Sequence, residues 1–419
     1  MRNFPGLILV PAFLFVFAGD CYPSSLKDLE SLPYLAWSEK PDQRPSGVVR
    51  YDKNKAFDGY NIYYNNDNRL ILMDMAGKVI HHWELPGTKN VFWCWWHAQL
   101  LKGGDIVAAN ACDGFIKIDK ASKLIWKAAI NVHHDIESLP DGSFLVPAIP
   151  TLLRYNDRCV SFDSIVHVSM DGRVLDQWST YDHLKVLQKL HFPSLLDGHV
   201  REGDHKNTLP PANDKDWDSY RYNGHFRGEG QCDGQSHGRW YEYYHLNSIQ
   251  ALPETALGLK DRRFQKGNWL VCFRNVDLIL ILDKDTREVV WSWGQGILDW
   301  PHMPRMLSNG NILMFDNGFH RSYSRLIIVD PAAGKIVWEY KANPPENFHS
   351  RQRGSGQQLP NGNFLICESD RGRVFEITPQ GEIVWEFLNP RTDKKSRRMV
   401  IYRMIRVPKQ EASGWLGQI

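Results

Sequence analysis

Paired cysteines are missing from this chain. Its seven cysteines (21, 94, 112, 159, 232, 272 and 367) are scattered through 419 residues, and no two form a C-x-x-C pair. That spacing excludes a small fold stapled by disulfides, and the odd count leaves at least one thiol free or paired between chains. A surplus of charge is missing too. Lys and Arg number 50 against 48 Asp and Glu, a net charge of +2. The broad basic surface that nucleic acid or acidic membranes require is therefore absent, and small or polymeric ligands become the expected partners. Long apolar runs are lacking beyond the first eighteen residues. Met1 to Ala18 carries Arg2, the run "GLILVPAFLFVF", and Val16 and Ala18 at positions −3 and −1 of a cleavage site, the pattern of a secretory signal. It is short for a bilayer and contains Pro11. The expectation is export to the periplasm or beyond, with no membrane span in the mature chain. Cys21 raises the alternative of a lipid anchor, against which Asp20 argues. With 42% hydrophobic residues the chain can bury a large core, so it is not a disordered chain.

What the chain has instead is a repeated phrase. "GKVIHHW", "SKLIW", "GRVLDQW", "REVVW", "GKIVW" and "GEIVW" end at Trp83, Trp126, Trp178, Trp291, Trp338 and Trp385, the last three 47 residues apart. Periods of 40 to 50 with strand-like alternation point to propeller blades. An earlier phrase in each unit, "QLLKGGDIV", "ESLPDGSFLV", "RMLSNGNILM" or "QQLPNGNFLI", joins two β-rich runs through a tight turn that needs positive φ. Six tryptophan phrases predict an all-β, six-bladed β-propeller. The first unit, near 59–85, lacks an inner strand, and "IYRMIRVP" at 401–408 resembles the start of one. Pairing of this C-terminal strand with the first blade closes the ring and removes free sheet edges. The expected organisation is a signal at 1–18, an extension at 19–50 and a propeller at 51–410. Residues 185–242 interrupt the fourth unit as a polar loop or cap on one face.

The inner strands open on polar groups: "HHDIESL" with His133 and His134, "HLNSIQAL" with His245 and Asn247, and "HMPRML" with His302, while "WWHAQLL" places His97 nearby. Inner strands line the central channel, so equivalent positions of successive blades become neighbours. Arg274 ends the second strand "NWLVCFR", and in an antiparallel hairpin that end lies beside His245. Histidines in propeller channels also hold water, and neutral imidazoles bind metals. Three in register with an arginine favour a functional site. For a metal, no carboxylate or cysteine sits at a matched offset except Asp135, and the arginine opposes a cation. His225, Cys232 and His237 have only a loose zinc-like spacing. No metal is expected.

Three stretches, "YHLNSIQAL…NWLVCFRNVDLILILD", "WPHMPRMLSNGNILMFDNG…YSRLIIVDPAAGKIVWEY" and "HHDIESLPDG", resemble the bacterial arylsulfate sulfotransferase family over roughly residues 90–390. These are exported six-bladed propellers that move a sulfuryl group between phenols without a nucleotide donor. The resemblance implies an aryl sulfate donor, a phenolic acceptor and no cofactor. It implies that His302 is transiently sulfurylated, with His134, His245 and Arg274 holding sulfuryl oxygens and handling protons. Asn247, His97, Arg353 and Tyr402 are the accompanying candidates for substrate contact. Two departures bear on substrate choice: Pro301 stands where family members commonly have Gln, and the separate N-terminal sandwich domain has no room here. The residue types suit the chemistry in their own right. A neutral imidazole attacks an anionic ester better than a carboxylate does, a guanidinium fork meets charge on the non-bridging oxygens, and a second imidazole moves the proton. The rivals are a propeller polysaccharide lyase, with Tyr244 or Tyr402 as base and an arginine neutralising a uronate, and a non-catalytic binding or scaffold propeller.

Overall fold

The computed structural model describes residues 37–38, 40–64, 69–85, 95–110, 114–149, 152–155, 158–191, 225–232 and 235–417. The expected signal, Cys21 and most of the 19–50 extension lie outside the described residues, as do residues 192–224 and the side chains of His225, Cys232 and His237. Cys272 and Cys367 are free and buried.

Six antiparallel blades are seen among the described residues. Blade 1 runs Met404–Pro408, Gly59–Tyr64, Arg69–Met73 and Val79–Glu84 from its inner strand outward. Blade 2 comprises Trp95–Leu100, Ile106–Asn110, Gly114–Ile118 and Leu124–Ala128. Blade 3 has Glu137–Ser138, Phe144–Ala148, Ser164–Val168 and Val174–Ser179, and blade 4 has Leu246–Ala251, Trp269–Phe273, Leu278–Leu282 and Val289–Trp293. Blade 5 holds Pro301–Met306, Ile312–Asp316, Arg325–Asp330 and Lys335–Tyr340. Blade 6 holds Ser355–Gln358, Phe364–Glu368, Arg373–Ile377 and Ile383–Leu388. The chain is thus the expected six-bladed propeller, and its C-terminal strand closes blade 1 with Gly59 opposite Pro408 and Tyr63 opposite Met404. A second closure was not foreseen. Gly47–Tyr51, which begins inside the 19–50 stretch, adds a fifth strand to blade 6 by pairing with Ile383–Leu388.

The sequence pattern follows from where each strand sits. Second and third strands are covered on both faces by neighbouring blades, so "WLVCF" and "LILIL" of blade 4 are apolar throughout and wholly buried. Outer strands meet solvent on one face, and Lys335–Tyr340 accordingly alternates between exposed and half-buried. The repeated tryptophans close the outer ends of these interfaces. The indole N–H donates to a turn carbonyl of the next blade from Trp83 (Gly104, 2.9 Å), Trp126 (Met170, 3.0 Å), Trp291 (Pro331, 3.1 Å), Trp338 (Pro379, 3.1 Å) and Trp385 (Met75, 2.8 Å). Trp178 differs. Its Nε1 is buried with no hydrogen-bond partner among the described residues, and its ring stacks on His183 at 4.9 Å.

Trp178 stands where the ring is interrupted. Residues 185–242 lie between the outer strand of blade 3 and the inner strand of blade 4. Their described part includes most of a short helix, Leu184–Leu187, and two strands, His225–Cys232 and Gln235–Glu242. These strands share a sheet with Leu152–Tyr155 and Arg158–Ser161, a second insertion inside blade 3. Arg158–Ser161 runs parallel to Gln235–Glu242, with Ser161 opposite Glu242. No helix among the described residues is long and apolar enough to cross a membrane.

Candidate active site

The backbone bends sharply where the inner strands begin. His134, His245, Trp300 and Met303 have φ of 63°, 56°, 59° and 54°, in the left-handed region. Such a conformation costs a non-glycine residue on the order of 1–2 kcal/mol, and it is concentrated at sites where side-chain direction matters. Strand register also slips at these points, between Leu246 and Ser248, between His302 and Arg305, and between Trp95 and His97. An irregularity of this kind turns the adjacent side chain out of the regular alternation.

The turned side chains meet. The rings of His134 and His245 are edge to face with centroids 4.4 Å apart. His245 Nδ1 lies 2.6 Å from Glu242 Oε2, and the same oxygen is 3.9 Å from Arg274 Nη2. The backbone N–H of Arg274 donates to the His245 carbonyl at 3.2 Å, as antiparallel pairing requires. The Arg274 guanidinium is steadied by two hydrogen bonds to Asn275 Oδ1 (3.1 and 3.0 Å) and stacks 4.3 Å over the Trp300 ring. Stacking of this type contributes about 0.5–2 kcal/mol and fixes the plane of the fork. Trp300 in turn stacks on Phe319 at 4.0 Å, and Arg351 covers the far face of Phe319 at 4.2 Å.

His302 is held in one tautomer. Asn317 donates through Nδ2 to the carbonyls of Ser350 (2.7 Å) and Arg353 (2.8 Å), so its Oδ1 is the atom facing His302 Nδ1 at 2.7 Å. The Trp300 carbonyl lies 3.1 Å from the same nitrogen. Two acceptors place the proton on Nδ1 and leave the lone pair on Nε2. Burial, with Arg274 adding to it, pushes the His302 imidazole down to about 3. The ring is therefore neutral at pH 7 with a nucleophilic Nε2. Burial likewise holds His134 well below the usual histidine range, reinforced by His245 and His133.

His134, His245, Arg274 and His302 thus form one connected group at the start of the inner strands of blades 3, 4 and 5. The remaining candidates divide. Tyr402 borders the group, its ring 6.1 Å from that of His134. Asn247 is buried and donates from Nδ2 to the Pro301 carbonyl at 2.8 Å, bracing the peptide that carries His302. The Arg353 guanidinium pairs with Asp370 at 2.7 Å, while its carbonyl holds Asn317. His97 is buried; burial lowers its pKa, and Arg403 adds to the effect. Its charged neighbours are Arg403, Asp135 and Arg305, and Asp135 accepts from Arg305 (2.8 Å), Arg403 (2.7 Å) and the Ile249 backbone (2.9 Å). Burial would raise the Asp135 carboxyl, but the two guanidiniums outweigh it and keep the group ionised. Tyr244, the candidate lyase base, is fully buried against Tyr243 and Phe273 in an apolar cluster.

Glu242, Asn317 and Trp300 were not singled out from sequence. Asn317 follows the second strand of blade 5 as Arg274 follows that of blade 4, so the register argument that finds Arg274 finds it as well. Glu242 sits in the insertion, outside the repeat, where no such argument applies.

A six-bladed ring with imidazoles from three blades and a stacked guanidinium at the head of its channel defines a propeller with a polar, anion-compatible site. Residues 97–390 match the profile of the family described as Arylsulfotransferase (ASST). The chain belongs to that family, and an aryl sulfotransferase role with small-molecule substrates follows from the membership. No curated protein matches the chain. Among solved structures it is similar to a protein of unknown function from Bacteroides caccae (16% identity, TM-score 0.48, covering 84% of this chain and 99% of that one). It is also similar to a streptogramin B lyase (12%, 0.43, 88% and 96%) and to virginiamycin B lyase from Staphylococcus aureus (11%, 0.37, 78% and 87%).

Proposed function

We propose that the protein moves a sulfuryl group from an aryl sulfate to a phenol in two half-reactions through a sulfohistidine at His302. The observation that carries this reading is the His302 tautomer. With Nδ1 protonated and bound by Asn317 and Trp300, the Nε2 lone pair attacks sulfur, and the S–O bond to the aryl group breaks with its electron pair leaving on oxygen. The product is an N-sulfonated ring still protonated at Nδ1. Its imidazole departs as a neutral leaving group, so the sulfuryl is readily passed to the next phenol. Arg274, held flat by Trp300 and Asn275, meets the non-bridging oxygens where charge is concentrated. His134 and His245 handle the protons, and Tyr402 borders the space where the aryl group would lie. Export, read from residues 1–18, is part of the same proposal.

The test is to mix the protein with 4-nitrophenyl sulfate alone, quench, digest and weigh the peptides. The expected result is one sulfuryl group on the peptide holding His302, removed when a phenol is added. Modification of another residue, or turnover with no modified peptide, overturns the assignment.

A further inference from the structure

The two histidines beside Arg274 are backed differently. Behind His245 stands a carboxylate: Glu242 and His245 are both fully buried, and Oε2 lies 2.6 Å from Nδ1. A carboxylate only accepts, so Nδ1 carries a proton, and the adjacent negative charge stabilises the ring when Nε2 is protonated as well. Behind His134 stands another imidazole. His134 Nδ1 and His133 Nδ1 are 2.7 Å apart, so one donates to the other. His133 Nε2 is 3.2 Å from Asp163 Oδ1, an ion-pair distance without hydrogen-bond alignment, and a negative charge there favours the His133 proton on Nε2 with Nδ1 as the acceptor. His134 then donates from Nδ1 and keeps a lone pair on Nε2. A second proton there would set a cation against Arg274 and a charged His245.

The two carboxylates lie where the inserted sheet meets the ring. Glu242 is the last residue of Gln235–Glu242, and Asp163 lies two residues beyond Arg158–Ser161, the strand that runs parallel to it. Where that sheet ends, Glu242 stands behind His245 and Asp163 behind His133, which in turn backs His134.

We infer that Glu242 is a positioning residue that keeps His245 doubly protonated in the resting enzyme, making His245 the acid for the departing aryl oxygen and His134 the base; the inference rests on sulfuryl transfer as proposed above. In the first half-reaction the S–O bond breaks, its electron pair goes to the aryl oxygen, and that oxygen takes the Nε2 proton of His245. His245 is left neutral, with Nδ1–H still on Glu242. In the second half-reaction the phenol oxygen attacks sulfur and the S–N bond electrons return to His302 Nε2. The phenol proton goes to His134 Nε2 and is passed to His245 Nε2 through solvent, restoring the starting state. Environments that separate two titratable groups in this way assign the acid and base roles.

The test compares Glu242→Gln with the wild-type protein on two donors, 4-nitrophenyl sulfate, whose phenolate leaves without help, and phenyl sulfate, whose phenolate does not. The quantity is kcat/KM for the donor, which reports the first half-reaction. The expected loss is about 10²–10³-fold on phenyl sulfate and less than about tenfold on 4-nitrophenyl sulfate. Equal losses on both, with His302 still modified, overturn the role of Glu242 alone. Absence of sulfate on His302 in the wild-type protein overturns the functional reading itself. If Glu242→Gln does not fold, proton NMR of the wild-type protein decides: a far-downfield His245 Nδ1 proton is expected, and an ordinary shift refutes the pairing.

Discussion

Replacing His302 by Asn tests whether the nucleophile is kept neutral by burial. Asn suits the site because its Nδ2 takes the position of Nδ1 and still donates to Asn317. The wild-type imidazole is pushed from its ordinary 6.5 to about 3. The folded protein thus refuses a proton that the unfolded chain accepts. The stability tied to this group is fully present above pH 6.5 and is lost as pH falls toward about 3. A shift of that size corresponds to roughly 5 kcal/mol in total, at about 1.4 kcal/mol per pH unit. Between pH 7.5 and 4.5 the wild-type protein therefore loses about 3 kcal/mol on account of His302 that His302→Asn does not lose. Urea unfolding of both proteins at the two pH values measures it. Titrating groups remote from His302 contribute to both proteins and cancel in the difference. Equal pH dependence in the two would show that His302 titrates normally, and the claim that burial keeps it neutral would fall.

Arg274→Lys keeps the charge but loses the stacked fork, and kcat/KM for 4-nitrophenyl sulfate should drop about 10²–10³-fold; a loss under tenfold removes Arg274 from the oxygen-binding role. The tryptophans predict a contrast in stability. Trp385→Phe and Trp178→Phe each leave a cavity in a buried site, but only Trp385→Phe also leaves a carbonyl, that of Met75, without its donor, so it should cost about 1–2 kcal/mol more in urea unfolding. Equal costs would contradict the reading of the repeated tryptophans as clasps between blades.

The parts legible in sequence are those the repeat enforces. Blade count, hairpin turns and closure by the C-terminal strand follow from a pattern that recurs because each blade packs against the next. The positive φ of Gly310 and Gly362 is the turn chemistry that "SNGN" and "PNGN" announce. His134, His245 and His302 were found because equivalent strand positions converge on one axis, and Arg274 because hairpin geometry returns it there. Three things escaped. Gly47–Tyr51 pairs with the last blade, yet "GVVRY" is too short and too polar to stand out from an extension. The pairing of the Arg353 guanidinium with Asp370 was not foreseen, because that acid lies 17 residues on, in the next turn of blade 6. The strands of the insertion lie outside the repeat and pair with residues about eighty positions earlier, so no local pattern reports them, and Glu242 was hidden with them.

The last strand of the chain also finishes the interior. Met404–Pro408 follows directly on Arg403, whose guanidinium reaches across the channel to Asp135 and to the His134 carbonyl. During synthesis, therefore, all the strands of blades 2 to 6 emerge before the carboxylate beside the blade 3 histidines receives its second counter-charge. A nascent chain stopped short of that point holds an uncapped edge and a poorly neutralised acid, so competence should arrive in one late step rather than blade by blade.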